Sequence, residues 1–417
     1  MKVVGIVAEF DPFHKGHEYL LKQARAKGAT HIAVVMSGAA VQRGEISVCS
    51  KHERAENALK CGADLVAELP TPYSCSSARY FADGAVRILG QLGIDALCFG
   101  SETESADMIL KAARAMDELE DSEAVKKRLS RGISYPAALH AAVYELYGYE
   151  AAKALDTPNS TLGAEYVRAL ERNGIGAEVL PVKRVGSKHG ELYDESSGEP
   201  NLGAFDMKDT EYLSGSQLRL MLFNEADITD RVPEGCVPKT LYKPAAAHDI
   251  LLYGLLTAER ERLLALPEVN EPLADRIVKI RRDPPDTLRQ FFLTVKSANF
   301  TYARIARSAL HLTLGITRED FSPPPYVRIL AFNERGAEIL RRAKPTVPLS
   351  TSLRELENSS EQAAHIIDIE NRAVRLQQIC RVPQKPRPYA GHPFLDDAPP
   401  APPKFENEYT RKIVIKK

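Results

Sequence analysis

Short apolar runs alternate with amphipathic stretches of helical period over residues 1–102. Val3 to Ala8 is rich in β-branched residues and predicts a strand covered on both faces. Glu9 to Phe13 interrupts the run, Pro12 fixes a turn, and a helical pattern carrying Tyr19, Leu20 and Ala24 begins near Gly16. The alternation continues with a strand at His31 to Met36, a helix at Lys51 to Cys61 and a strand at Asp64 to Leu69. A helix at Ala78 to Leu92, a strand at Ala96 to Phe99 and a later strand at Ala177 to Val182 complete the pattern. Strands at this interval with helices between them predict an α/β fold with a doubly wound parallel sheet. Ligands of such sheets lie beyond the carboxyl ends of the strands. Glu9 to His17, Ser37 to Glu45 and Gly100 to Glu102 fall at those ends.

Between Glu104 and Tyr149 the pattern predicts two or three helices without extractable chemistry. TPNSTLGAEYVRAL offers a Pro-Asn turn and then a helix start, with Thr161 and Ala164 placed as a capping box that lacks its acid. Beyond Pro233 the rhythm changes. Ala247 to Glu261, Leu273 to Ile280 and Pro285 to Leu293 are helical by period, and no strand is expected among them. Lys296 to Leu314 predicts a basic amphipathic helix with Lys296, Arg304 and Arg307 on its polar side. Gln384 to Lys404 is proline-rich and predicts an extended arm. The domains expected are therefore 1–232, an α/β nucleotide-binding unit; 233–383, a helical and basic unit; and 384–417, the arm.

The 417 residues allow two or three domains, and a net charge of −1 excludes a globally basic RNA-coating protein while permitting a basic face. The six cysteines form no closely spaced pair, against both a metal ribbon and a disulfide scaffold, and suggest reduced thiols. No secretory signal and no bilayer-length apolar run stands out, so a soluble, cytoplasmic protein without a membrane partner is expected.

A strand that feeds a helix across a tight turn gathers unpaired N–H groups where an anion can sit. His14 and His17, three apart, put two imidazoles at one spot there, and Gly16 lets a phosphate approach the backbone. A metal pair is the competing reading, but no third ligand of suitable spacing is close, and no metal site is expected. Histidines without a role are the other alternative. Arg43, Lys51 and Arg54 could answer a triphosphate's charge, or could belong to a solvated loop and helix face. In Ser214-Gly215-Ser216-Gln217-Leu218-Arg219, small hydroxyl residues open a helix with a guanidinium one turn in.

FDPFHKGH resembles the first motif of the nucleotidyltransferase superfamily, and SGSQLR resembles its second. With VQRGE, Lys51 and Arg54, ADLV–ELP and CFGSE, the chain is similar to the tRNA(Met) cytidine acetate ligase family. Family members usually carry Asn-Phe where this chain has Ala39-Ala40. The resemblance implies an enzyme that activates acetate with ATP, magnesium accompanying the nucleotide, and acetylates N4 of the wobble cytidine of elongator tRNA(Met). It implies catalytic roles for His14, His17, Arg43, Lys51 and Arg219. Nucleotide contacts are expected from Val7, Ala8, Glu9, Phe10, Pro12, Phe13, His14, Gly16 and His17. Gly100, Asn159, Arg184, Val185, Ser214 and Ser216 complete that set, and Lys296, Arg304 and Arg307 are expected to contact RNA. Two alternatives stay open from sequence: a small-molecule adenylyltransferase of the same superfamily, and a non-catalytic RNA-binding protein with a vestigial nucleotide fold. The oligomeric state is not legible.

Overall fold

The computed structural model describes residues 1–131, 133–185, 212–382, 407–411 and 413–416. Five parallel strands form the expected sheet: β1 (Val3–Ala8), β2 (His31–Ser37), β3 (Leu65–Leu69), β4 (Ala96–Ser101) and β5 (Glu178–Lys183). Alternate residues of β1 serve opposite faces. Val3 and Val7 pack with Leu89 and Phe99, whereas Val4 and Ile6 pack with Phe10 and Leu21. A strand that buries both sides must be apolar throughout, which is why the run carries no polar alternation.

Two further strands follow, one from the segment expected to be helical and one from residues 384–417, expected as an extended arm. β6 (Val327–Phe332) pairs antiparallel with β3, and β7 (Val414–Ile415) pairs parallel with β6. The order across the sheet is β7-β6-β3-β2-β1-β4-β5, with a two-residue strand at Leu349–Ser350 beside β6. The expectation of a strand-free segment after residue 233 is therefore corrected. β6 is needed because β3 would otherwise be an exposed edge. The proline-rich stretch Gln384 to Lys404 lies outside the described residues.

Helices cover both faces. α1 (Lys15–Ala26) and α2 (Lys51–Lys60) lie on one side, and α3 (Ala78–Gln91) and α4 (Pro158–Arg172) on the other. α4 begins earlier than the sequence suggested: Thr157 is its N-cap and Pro158 opens it, so Asn159 sits inside the first turn. Gly163 lets α4 approach the sheet, since a Cβ there would lie 2.4 Å from the Phe99 ring. α5 (Gly215–Phe223) follows, capped by Ser214, whose Oγ accepts from the Gln217 N–H at 3.3 Å. The helices of residues 248–314 and 353–379 bury a separate apolar core, among them α6 (Tyr302–Leu314) and α7 (Glu361–Ile379). Among the described residues no helix is long and apolar enough to cross a membrane.

Candidate active site

The turn after β1 is shaped by Phe10, whose φ of 53° places a bulky residue in the left-handed region. It delivers His14 as the N-cap of α1 and His17 in its first turn. The two imidazoles stack, their centroids 3.6 Å apart and their planes 19° from parallel. The His14 backbone N–H donates to His17 Nδ1 at 3.2 Å, so the neutral His17 ring carries its hydrogen on Nε2. Burial, then the neighbouring His14 and Arg184, hold the His17 pKa well below the usual imidazole value. The ring is therefore a neutral donor near pH 7. Gly16 has a second task here: a Cβ would come within 3.0 Å of the His14 ring.

Both histidines line a cleft of about 150 Å³ at the carboxyl ends of β1, β4 and β5. The expected contacts Val7, Ala8, Gly16, Gly100, Asn159, Arg184, Val185 and Ser214 line it too. Sequence reasoning missed Tyr19, Leu20, Phe99, Leu162, Tyr166 and Tyr212, which supply its apolar and aromatic walls. Asn159, Leu162 and Tyr166 stand three and then four apart, so one face of α4 forms a wall. That spacing was available to find them.

Asn159 is fixed by Glu102, which accepts from its Nδ2 at 2.7 Å, from Thr157 Oγ1 at 2.6 Å and from Ser160 Oγ at 3.0 Å. Arg184 Nη1 donates to Asn159 Oδ1 at 3.3 Å. Arg219 reaches back to the first turn, donating from Nη1 to the Asp11 carbonyl at 2.7 Å and from Nη2 to Ser216 Oγ at 2.9 Å. No carboxylate among the described residues lies within ion-pair distance of it. Burial, then Arg43, depress its pKa, so it is a buried cation to which an anion would bring relief.

Several expected contacts lie elsewhere. Phe10 and Phe13 are 1% exposed and pack their rings behind His17, at 4.8 and 5.6 Å, instead of facing the cleft. Glu9 accepts from the Gln42 N–H at 2.7 Å, Ser216 serves Arg219, and Pro12 is buried in the turn. Arg43 sits on a hairpin and donates to Asp11 at 2.6 Å and Glu45 at 2.6 Å. Arg54 donates to the carbonyls of Glu9, Gly38 and Cys49. Ala39 and Ala40 are fully buried against the core of the helical segment.

Lys51, expected among the catalytic residues, sits in a buried ion cluster. Its side chain is 2% exposed, and its Nζ lies 2.6 Å from Glu68, 2.9 Å from Glu370 and 3.2 Å from Glu408. Arg328 joins Glu68 and Glu408, each at 3.0 Å. Arg307 likewise turns inward, paired with Glu268 through Nη2 at 2.6 Å and Nε at 2.7 Å. Arg304 donates to the Glu268 carbonyl at 2.8 Å and stacks over Phe300, while Lys296 is exposed.

A family described as HIGH nucleotidyl transferase matches residues 1–389. The tRNA(Met) cytidine acetate ligase of Syntrophotalea carbinolica is 33% identical over 372 residues, covering 85% of each chain. The chain belongs to the tRNA(Met) cytidine acetate ligase family. A second member, from Acetivibrio thermocellus, is 32% identical over 386 residues, 87% of this chain and 90% of the relative. Thermotoga maritima TmcAL bound with alpha-thio ATP superimposes with a TM-score of 0.78 at 28% identity, covering 91% of this chain and 94% of that one. Its apo form gives 0.83 at 25% identity, with 100% and 99% covered. The ligase family thus has the mixed sheet and helical C-terminal region described above.

Proposed function

We propose that this protein is an ATP-dependent ligase that acetylates N4 of the wobble cytidine of elongator tRNA(Met) through an acetyl-adenylate. The observation that carries the reading is the pairing of two stacked imidazoles at a helix N-terminus with a cleft wall of Asn159, Arg184 and Ser214. An acetate oxygen attacks the α-phosphorus of ATP, forming the acyl–phosphate bond as the bond to pyrophosphate breaks. His14 and His17 donate to the charge that grows on the α-phosphoryl oxygens, with the N-terminus of α1 adding its dipole. Arg43 and Arg219 face the β- and γ-phosphates, and magnesium travels with the nucleotide. Next, the cytidine amine attacks the acetyl carbonyl, AMP leaves with the bonding pair, and the amine loses a proton. The cytosine must be splayed out of the anticodon loop to reach this cleft.

The helical segment of residues 233–383 is the proposed tRNA holder, and Lys296 is its exposed cation among the three first considered. The protein acts in the cytoplasm, where its tRNA is. Incubation with ATP and labelled acetate, with and without tRNA, tests the assignment. Label in tRNA is expected. Transfer of AMP to a metabolite, or no product at all, would refute it. In the same assay His14→Ala and His17→Ala each lower acetate-dependent ATP–pyrophosphate exchange at least about 100-fold while the fold stays intact. Near-normal exchange in either variant would remove the histidines from the chemistry.

A further inference from the structure

We infer that Asp11 is the positioning residue that sets Arg43 and Arg219 for the β- and γ-phosphates of ATP. The inference rests on the ATP-dependent reading above and adds a residue to it. The Asp11 side chain is wholly buried, yet each of its oxygens is used. Oδ1 accepts from the Val48 N–H at 2.8 Å, Oδ2 accepts from Arg43 Nη2 at 2.6 Å, and the main-chain carbonyl accepts from Arg219 Nη1 at 2.7 Å. One residue therefore ties together the turn that presents His14, the hairpin that carries Arg43 and the helix that carries Arg219.

The clamp on Arg43 has a direction. Its Nε edge is held by Glu45 at 2.6 Å and Nη2 by Asp11, which fixes the guanidinium plane. Nη1 makes the longest of the guanidinium's carboxylate contacts, an ion pair with Glu9 at 3.6 Å, so it is the end that a phosphate would share with Glu9. Arg219 is fixed at two points as well, by the Asp11 carbonyl and Ser216 Oγ. Gly215 belongs to the same assembly: a Cβ there would lie 3.1 Å from Arg219 Nη1 and 3.5 Å from the Asp11 carbonyl. A guanidinium already oriented in the free protein loses little entropy when phosphate arrives.

Asp11→Asn tests this because an amide has one acceptor oxygen where the carboxylate has two. If that oxygen keeps the Val48 N–H, the NH₂ group faces the Arg43 guanidinium, donor against donor. The expected result, by calorimetric titration, is ATP affinity weakened at least about tenfold with AMP affinity within about twofold of wild type, since AMP lacks the phosphates the clamp serves. In pyrophosphate exchange the KM for ATP rises more than kcat falls. ATP and AMP weakening together, or neither weakening, would overturn the inference. Should Asp11→Asn not fold, Asp11→Glu, which keeps the charge but shifts it by a methylene, carries the same expected split. Failure of both to fold would make Asp11 structural and also overturn the role. Wild-type protein that prefers ATP over AMP but gives no acetate-dependent exchange would sink the ligase reading and leave this clamp standing.

Discussion

Replacing Lys51 with Met separates the two roles that the residue could have, phosphate ligand or buried counterion. The cluster holds three carboxylates, Glu68, Glu370 and Glu408, against two cations, Lys51 and Arg328. His52, beside Glu408, is neutral because burial pushes its pKa to about 4. The charges balance only if one acid keeps a proton. Burial, with Glu370 adjacent, raises Glu68 to about 7, so Glu68 keeps it. Lys51→Met fills the volume but leaves three acids facing Arg328 alone. Removing one partner of a buried ion pair costs about 3–5 kcal/mol, and that is the expected loss at pH 7.

The sign of its pH dependence follows from linkage. Glu68 is raised from 4.5 to about 7, so its stabilising proton is fully held below pH 4.5 and lost as pH rises toward 7. In the variant a second acid must also be protonated in the native state. Stability should then fall with pH about 1.4 kcal/mol per unit more steeply than in wild type, and the defect should shrink toward pH 5. Urea unfolding at several pH values measures both quantities. Wild-type stability combined with lost ATP binding would refute the reasoning and restore Lys51 to the triphosphate.

Three further outcomes follow from the geometry. Gly44 has φ of +85° and a Cβ there would lie 2.4 Å from the Arg307 backbone nitrogen. Gly44→Ala should therefore destabilise the protein by at least about 1 kcal/mol and raise the KM for ATP by displacing Arg43, and unchanged denaturation and kinetics would contradict this. Arg307→Ala strands the Glu268 carboxylate and should cost about 3–5 kcal/mol without altering the salt dependence of tRNA binding. Lys296→Ala should instead reduce that log–log slope by about 1 with little loss of stability, and the opposite assignment of the two effects would show that Arg307 is the RNA contact.

The opening βα unit was legible because every residue of Val3–Ala8 is apolar and the turn chemistry follows at once. β6 escaped for the reason β1 did not. VRILAF follows three prolines in a stretch read as helical, and Arg328 interrupts its apolar run, so it lacks the unbroken apolar character of β1. The inward contacts of Lys51, Arg304 and Arg307 were not legible, since a cation looks solvated until its partner is known. The partner Glu370 lies 319 residues from Lys51 in sequence. The histidine pair, Asn159, Arg184 and Ser214 line one cleft, and they could be singled out because strand ends and helix starts mark where ligands gather. The aromatic wall was not, as Tyr166 and Phe99 look like ordinary core until the helix and strand that carry them are set side by side.

Glu408 and β7 both belong to residues 407–416, yet the one neutralises cations deep in the molecule and the other finishes an edge of the sheet. A nascent chain that has not yet released this stretch holds Lys51 and Arg328 against Glu68 and Glu370 alone, without the carboxylate that touches both cations, and leaves β6 uncovered. Maturation of the catalytic layer therefore waits on residues some four hundred positions downstream of the histidines it serves. A premature stop just ahead of Glu408 would open this buried ion cluster and one sheet edge without removing a single group that lines the cleft.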